Sequence, residues 1–157
     1  MKNNKFDSAA ETWRHIYEVG KRINLFVLEL LNRSLDHDQS KFNHIEKDLF
    51  DEYTQKLKSV EYGSDEYEDF LRKLKPALDH HYERNRHHPE FFPNGVRGMN
   101  LVDLIEMLCD WKAATLRMES GDLHHSLEIN KKRFNISDEL AEILTNTAHD
   151  FGMFNKK

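Results

Sequence analysis

Apolar residues recur at three- and four-residue spacing along most of the chain, and no stretch alternates as a strand would. Ser8, Ala9, Ala10 and Glu11 have capping-box form and open a helix carrying Trp13, Ile16, Ile23, Val27, Leu30 and Leu31 on one face, expected to be buried. It fades near Ser34 to Asp36. A second helix is expected over about 42–60, with Ile45, Leu49, Phe50, Tyr53 and Leu57 on its apolar side. Gly63 stops it, and Ser64 caps a third bearing Tyr67, Phe70, Leu71, Leu74 and Leu78, which Pro76 should kink or divide. Residues 85–99 gather prolines and glycines into one long loop. Asn100 then caps an amphipathic helix with Leu101, Leu104, Ile105, Leu108 and Trp111, which Gly121 ends. Two further helices follow over about 122–133 and 138–150, the last capped by Ser137. The pattern predicts an all-α protein, one helical domain over 1–157 with six or seven helices.

Composition adds limits. At 157 residues the chain is long enough for one core without staples. A net charge of −5 excludes a broad nucleic-acid surface or capture by anionic membrane. The single cysteine, Cys109, excludes an internal disulfide and any thiolate zinc knuckle. The apolar run Leu25–Leu31 is short and contains Glu29, so no membrane span is expected and the reading is cytoplasmic. Ten histidines are the unusual feature, and six of them form the adjacent pairs His80-His81, His87-His88 and His124-His125. Imidazole is the commonest metal-binding side chain, so this enrichment directs attention to a metal site.

Several polar residues stand on or beside apolar helical faces. His15 lies between Trp13 and Ile16, His37-Asp38 follows the first helix, and Asp110 adjoins the stripe ending in Trp111. A carboxylate in such a place needs a cation or hydrogen-bond donors. Two imidazoles and two carboxylates would suit Mn, Fe, Co, Ni or Zn, whereas a purely structural zinc favours thiolates. Competing readings exist: His15 as a surface histidine, Asp38 as a helix N-cap, Asp110 as a solvated helix position. His80 and His81 diverge by about 100° on a helix, so one is expected to face the site and the other solvent. His87 and His88 are candidate ligands, proton shuttles or phosphate contacts. His124, His125 and His149 read as surface, Trp13 and Trp111 as core, and the runs Glu46-Lys47-Asp48 and Lys131-Lys132-Arg133 as solvated faces.

The ordered set His15, then His37-Asp38 with Lys41, then Asp110, resembles the HD-domain phosphohydrolase superfamily. The His80-His81-x-Glu83-Arg84 segment is similar to the corresponding region of its two-metal HD-GYP branch, although the Gly-Tyr-Pro element is replaced by Arg86-His87-His88-Pro89-Glu90. The match covers about 9–118, leaving the helices over 122–150 outside. The resemblance implies a metal held by His15, His37, Asp38 and Asp110, with Asp38 bridging to a second ion near His80 and His81. One or two divalent transition-metal ions are therefore expected.

The expected activity is hydrolysis of a nucleotide or another phosphate ester by metal-activated water. Lys41, Arg84 and Arg86 are the candidate phosphate contacts, and His87 or His88 the candidate proton donor to the leaving oxygen. Asp38 and Lys41 are placed at the chemistry. Phe91, Phe92 or Tyr82 would flank an organic moiety. Two other classes compete: a di-iron, O₂-dependent oxygenase of the same superfamily, and a non-catalytic module that binds a nucleotide or partner protein. The oligomeric state is left open.

Overall fold

Every described segment with regular structure is helical in the computed structural model, which describes residues 7–61, 63–117 and 121–154. Six α-helices run in order: α1 Ser8–Asp36, α2 His44–Ser59, α3 Asp65–Tyr82, α4 Leu101–Thr115, α5 Leu123–Arg133 and α6 Asp138–Asp150. Short 3₁₀ turns cover Gln39–Phe42, Pro89–Phe91 and Gly95–Gly98. The all-α expectation holds. None of the described helices is long and apolar enough to cross a membrane.

The chain divides into two compact units, Met1–Asp36 and His37–Lys157. Within the first, α1 is a single helix started by Asp7 rather than Ser8, since the Asp7 carboxylate accepts the Ala9 amide at 3.0 Å. None of its residues is buried, and Trp13 is 70% exposed, so the expectation of a buried face is corrected.

In the second unit the caps fall largely where polar residues precede apolar runs. Asn43 caps α2, Ser64 caps α3, Asp122 caps α5 and Ser137 caps α6. Asn100 and Asp103 form a reciprocal capping box on α4. Three details differ from the sequence reading. α3 continues through Pro76 as one helix, and Pro76 itself is exposed. On α2, Leu49, Phe50, Tyr53 and Leu57 are half-buried as expected, but Ile45 is 40% exposed and the fully buried Glu46 takes the place at the start of that face. On α4, Leu101 and Ile105 face outward, and the buried residues are Val102, Asp103, Met107, Leu108 and Trp111.

The core joins α4, α5 and α6: Met107, Leu108 and Trp111 meet Leu123, Leu127, Leu144 and Ala148, with Val96 and Ile136 from the connections. α2 packs along α3, where the Tyr53 and Phe70 rings lie 5.9 Å apart. The loop before α4 is pinned by Arg86, whose guanidinium lies 5.3 Å and 4.9 Å from the Phe91 and Phe92 rings. Phe92 in turn covers Gly98, where a Cβ would come within 2.7 Å of it. Phe91 and Phe92 thus serve the loop itself.

Candidate metal centre

Four stretches of the second unit converge: the turn at 37–41, the start of α2, the end of α3 with its following loop, and one face of α4. Asp38 occupies the N-cap position of the first 3₁₀ turn but makes no capping bond. Its φ of 59° is left-handed, a region in which Asp is several-fold enriched among non-glycine residues. The carboxylate turns into the cluster instead. Its Oδ2 receives the Lys41 ammonium at 2.5 Å. Its Oδ1 lies 3.3 Å from His81 Nε2 and 3.4 Å from His87 Nε2, yet has no hydrogen bond.

Two glutamates that the sequence reading passed over arrange the imidazoles. Glu46 accepts His80 Nδ1 on one oxygen at 2.6 Å and His81 Nδ1 on the other at 2.8 Å. Glu106 Oε1 accepts both His37 Nδ1 and His87 Nδ1, each at 3.0 Å. A proton held on Nδ1 leaves the Nε2 lone pair for a ligand, the carboxylate–histidine–metal arrangement of metalloproteins. His80 and His81 are therefore both turned inward, against the expectation that one faces solvent. Glu46 is a buried anchor, against its reading as part of a solvated charge run.

Two groups of side chains bring one potential ligand atom each within 4.8 Å of one another. The first is Asp38, His81, His87 and His88; the second is His37, His87 and Asp110. His87 belongs to both, and its Nε2 is buried and unpartnered like Asp38 Oδ1. Orphaned buried acceptors facing one another are costly without a cation between them. The donors are imidazole and carboxylate only, a set that fits borderline first-row ions. Cys109, exposed on the same helix, is in neither group.

Of the expected ligands, His37, Asp38, His81 and Asp110 thus meet in these groups, and His87 and His88 join them. His80 supports the site through Glu46 and is in neither group; its buried Nε2 has no hydrogen bond. His15 is an exposed residue of α1 in the other unit and belongs to neither group. Arg84 is exposed. Arg86 grips the fully buried Asp103 through Nε and Nη2 at 3.0 and 2.9 Å, so its observed role is in the fold rather than at a phosphate.

The charges are tightly balanced. Burial works against ionised Asp38, but the facing His81 and His87 imidazoles and the hydrogen-bonded Lys41 ammonium outweigh it and hold the carboxyl well below the usual range. Asp110 and Glu46 are likewise lowered despite burial, by His37 and by His80, Ser40 and His81 respectively. Hydrogen bonding to Asp110 and then Glu106 pushes His37 up to about 10. His87 is raised by Asp38 and Glu106 against burial. Burial, with His87 and His81 alongside, lowers His88 to about 3.

A pH dependence follows for the metal-free protein. Raised His37 and His87 contribute stability that is complete below the unfolded value of about 6.5 and lost as pH climbs toward the folded one. Lowered His88 acts in the opposite sense, because between about pH 6.5 and 3 the unfolded chain binds a proton that the folded one refuses. The lowered carboxylates add stability above about pH 4 that acid removes. Melting temperature in excess chelator should therefore peak near pH 6.5 and fall on both sides. A rise continuing to pH 9 would contradict these assignments.

The same geometry predicts the effect of Glu46→Gln. An amide cannot accept two imidazole N–H groups on two oxygens, so His80 or His81 loses its orientation. Metal affinity should fall by about 10–100-fold, the usual cost of losing such an outer partner, as read by competition with a chromogenic chelator.

The match to other proteins is confined to one family. Residues 4–150 fit the model described as a family of unknown function, DUF5662. The chain belongs to that family. No curated protein and no solved structure matches it. Membership covers both units and all six described helices, and it carries no activity with it.

Proposed function

We propose that this protein is a metal-dependent phosphohydrolase acting on a nucleotide or another phosphate ester. The observation that carries the reading is the pair of overlapping ligand groups sharing His87, with Asp38 Oδ1 and His87 Nε2 buried and unpartnered between them. His37, Asp38, His81, His87, His88 and Asp110 would hold one or two divalent ions. Such ions would lower the pKa of water and neutralise charge on phosphoryl oxygens. The remaining work falls to this chain. Lys41 holds one oxygen of Asp38 and lies beside the cluster, where an ammonium would also meet a phosphate oxygen. His88, kept neutral by burial and by His87 and His81 alongside, would present an unprotonated imidazole to an ion. Glu46 and Glu106 fix the imidazole rings, so little reorganisation is needed when an anion arrives.

The proposed relationship to the HD superfamily keeps His37-Asp38 and Asp110 in common. His81, His87 and His88, from the end of α3 and its loop, extend that donor set. The imidazole and carboxylate donors also suit iron, and a di-iron centre is the second reading. Metal analysis of the purified protein, a panel of phosphomonoesters and phosphodiesters, and O₂ uptake with the iron-loaded form separate the two. Tight uptake of Mn, Co, Ni or Zn with phosphate release supports hydrolysis. Failure to bind any divalent ion would sink both.

A further inference from the structure

A cavity of about 690 Å³ opens directly on Asp38 and Lys41. Its flank follows α2 from Lys47 to Lys58, a run of about 16 Å at 1.5 Å per residue. The site end of this run is set by Glu46, which holds His80 and His81, so Lys58 marks the remote end. Arg117, just past the end of α4, also lines the cavity. Between the two ends lie Phe50, Leu57 and buried Leu74, interrupted by Thr54 and by Asp51, which Lys47 matches.

The cations here are not equivalent. Lys41 is matched by Asp38 and Lys47 by Asp51. Lys58 and Arg117 have no ion pair among the described residues, and both are exposed at the cavity edge. Both line the groove that starts at Asp38 and Lys41, with Lys58 at the end of α2 remote from Glu46. An inorganic phosphate at Asp38 would never reach them, nor would a compact monoester.

We infer that the substrate is an elongated organic phosphate: one phosphate at the Asp38 end, an apolar or aromatic body over Phe50 and Leu74, and a second anionic group held by Lys58 and Arg117. This rests on the reading of the cluster as a phosphate-processing metal centre, and it assigns binding residues that the centre itself does not contain. Phe50 lines the groove and would place its ring against a base. Arg117 can take the second anion in a bidentate manner.

The test is calorimetric binding to the full, metal-loaded chain, with phosphate release monitored so that only titrations without turnover are compared, and metal uptake measured separately on the same preparations. The ligands are AMP, the 5′-phosphorylated dinucleotide pApA, and hexane-1,6-diyl bisphosphate. The dinucleotide should bind at least about tenfold tighter than AMP at low ionic strength. Lys58→Ala combined with Arg117→Ala should erase that advantage while leaving metal uptake unchanged. If the alkyl bisphosphate shares the advantage, the second charge suffices; if only pApA does, the bases contribute and a nucleotide strand end is the better source. Equal affinity for AMP and both two-charge ligands overturns the inference, as does an advantage that survives the double substitution. Loss of metal uptake by the wild-type protein with the charge-dependent advantage intact would instead overturn the hydrolytic reading and leave the groove standing.

Discussion

Asp38→Asn is expected to abolish tight metal binding and to reduce hydrolysis of any phosphate ester the wild-type protein turns over by at least about 100-fold. The expectation exceeds that for an outer partner because Asp38 Oδ1 stands 3.3 and 3.4 Å from two imidazole nitrogens and has no hydrogen bond of its own. An amide keeps the shape but presents neutral oxygen, and its NH₂ group would compete for the space. Asn tolerates the left-handed backbone at this position nearly as well as Asp, so the turn itself should persist. Helical circular dichroism should consequently change little while bound metal, read by elemental analysis, disappears. A variant that retains metal at wild-type affinity would remove Asp38 from the centre.

Arg86→Met should destabilise the protein by about 2–3 kcal/mol, less than for a fully buried ion pair because the Arg86 side chain is 39% exposed. Asp103 has no exposed surface; it accepts two N–H groups from Arg86 and the Asn100 amide that closes the capping box. Without the guanidinium, that carboxylate is a buried, poorly compensated charge at the start of α4. A melting temperature lower by roughly 4–12 °C is expected for a protein of this size. Adding Asp103→Asn should restore part of the loss, since the neutral side chain still accepts from Asn100. Below the melting range, KM for a phosphate ester should be unchanged. A raised KM with normal stability would return Arg86 to the phosphate.

The sequence made the helices legible because capping residues and apolar spacing are local. Ser64, Asn100 and Ser137 do what their positions announce. The candidate site was legible in part for a related reason: His37, Asp38 and Asp110 stand out as polar residues beside apolar faces. The supports were missed because each has an innocent local explanation. Glu46 sits in a charge-rich run, although it shares one helical face with Leu49, Phe50, Tyr53 and Leu57. Asp103, Glu106 and Asp110 fall at positions i, i+3 and i+7 of α4, which places three carboxylates on one side of an otherwise apolar helix. That spacing was the available signal. His15 shows the converse limit. A histidine on an apolar stripe marks a face, and nothing local says what that face meets.

The core of the second unit and its ligand supports share the same turns of α4. Met107, Leu108 and Trp111 pack inward, while Glu106 and Asp110 occupy intervening positions. Close-packed interiors transmit small shifts rather than absorbing them. A roll of this helix by a few degrees, brought on by refilling the core with larger or smaller side chains, would swing Glu106 away from two imidazoles at once. Thermostabilised versions obtained by repacking Met107 or Leu108 therefore run the risk of trading away ion selectivity. Safer gains lie on the exposed side of α2 and α3, away from Lys58, where no buried ligand support is mounted.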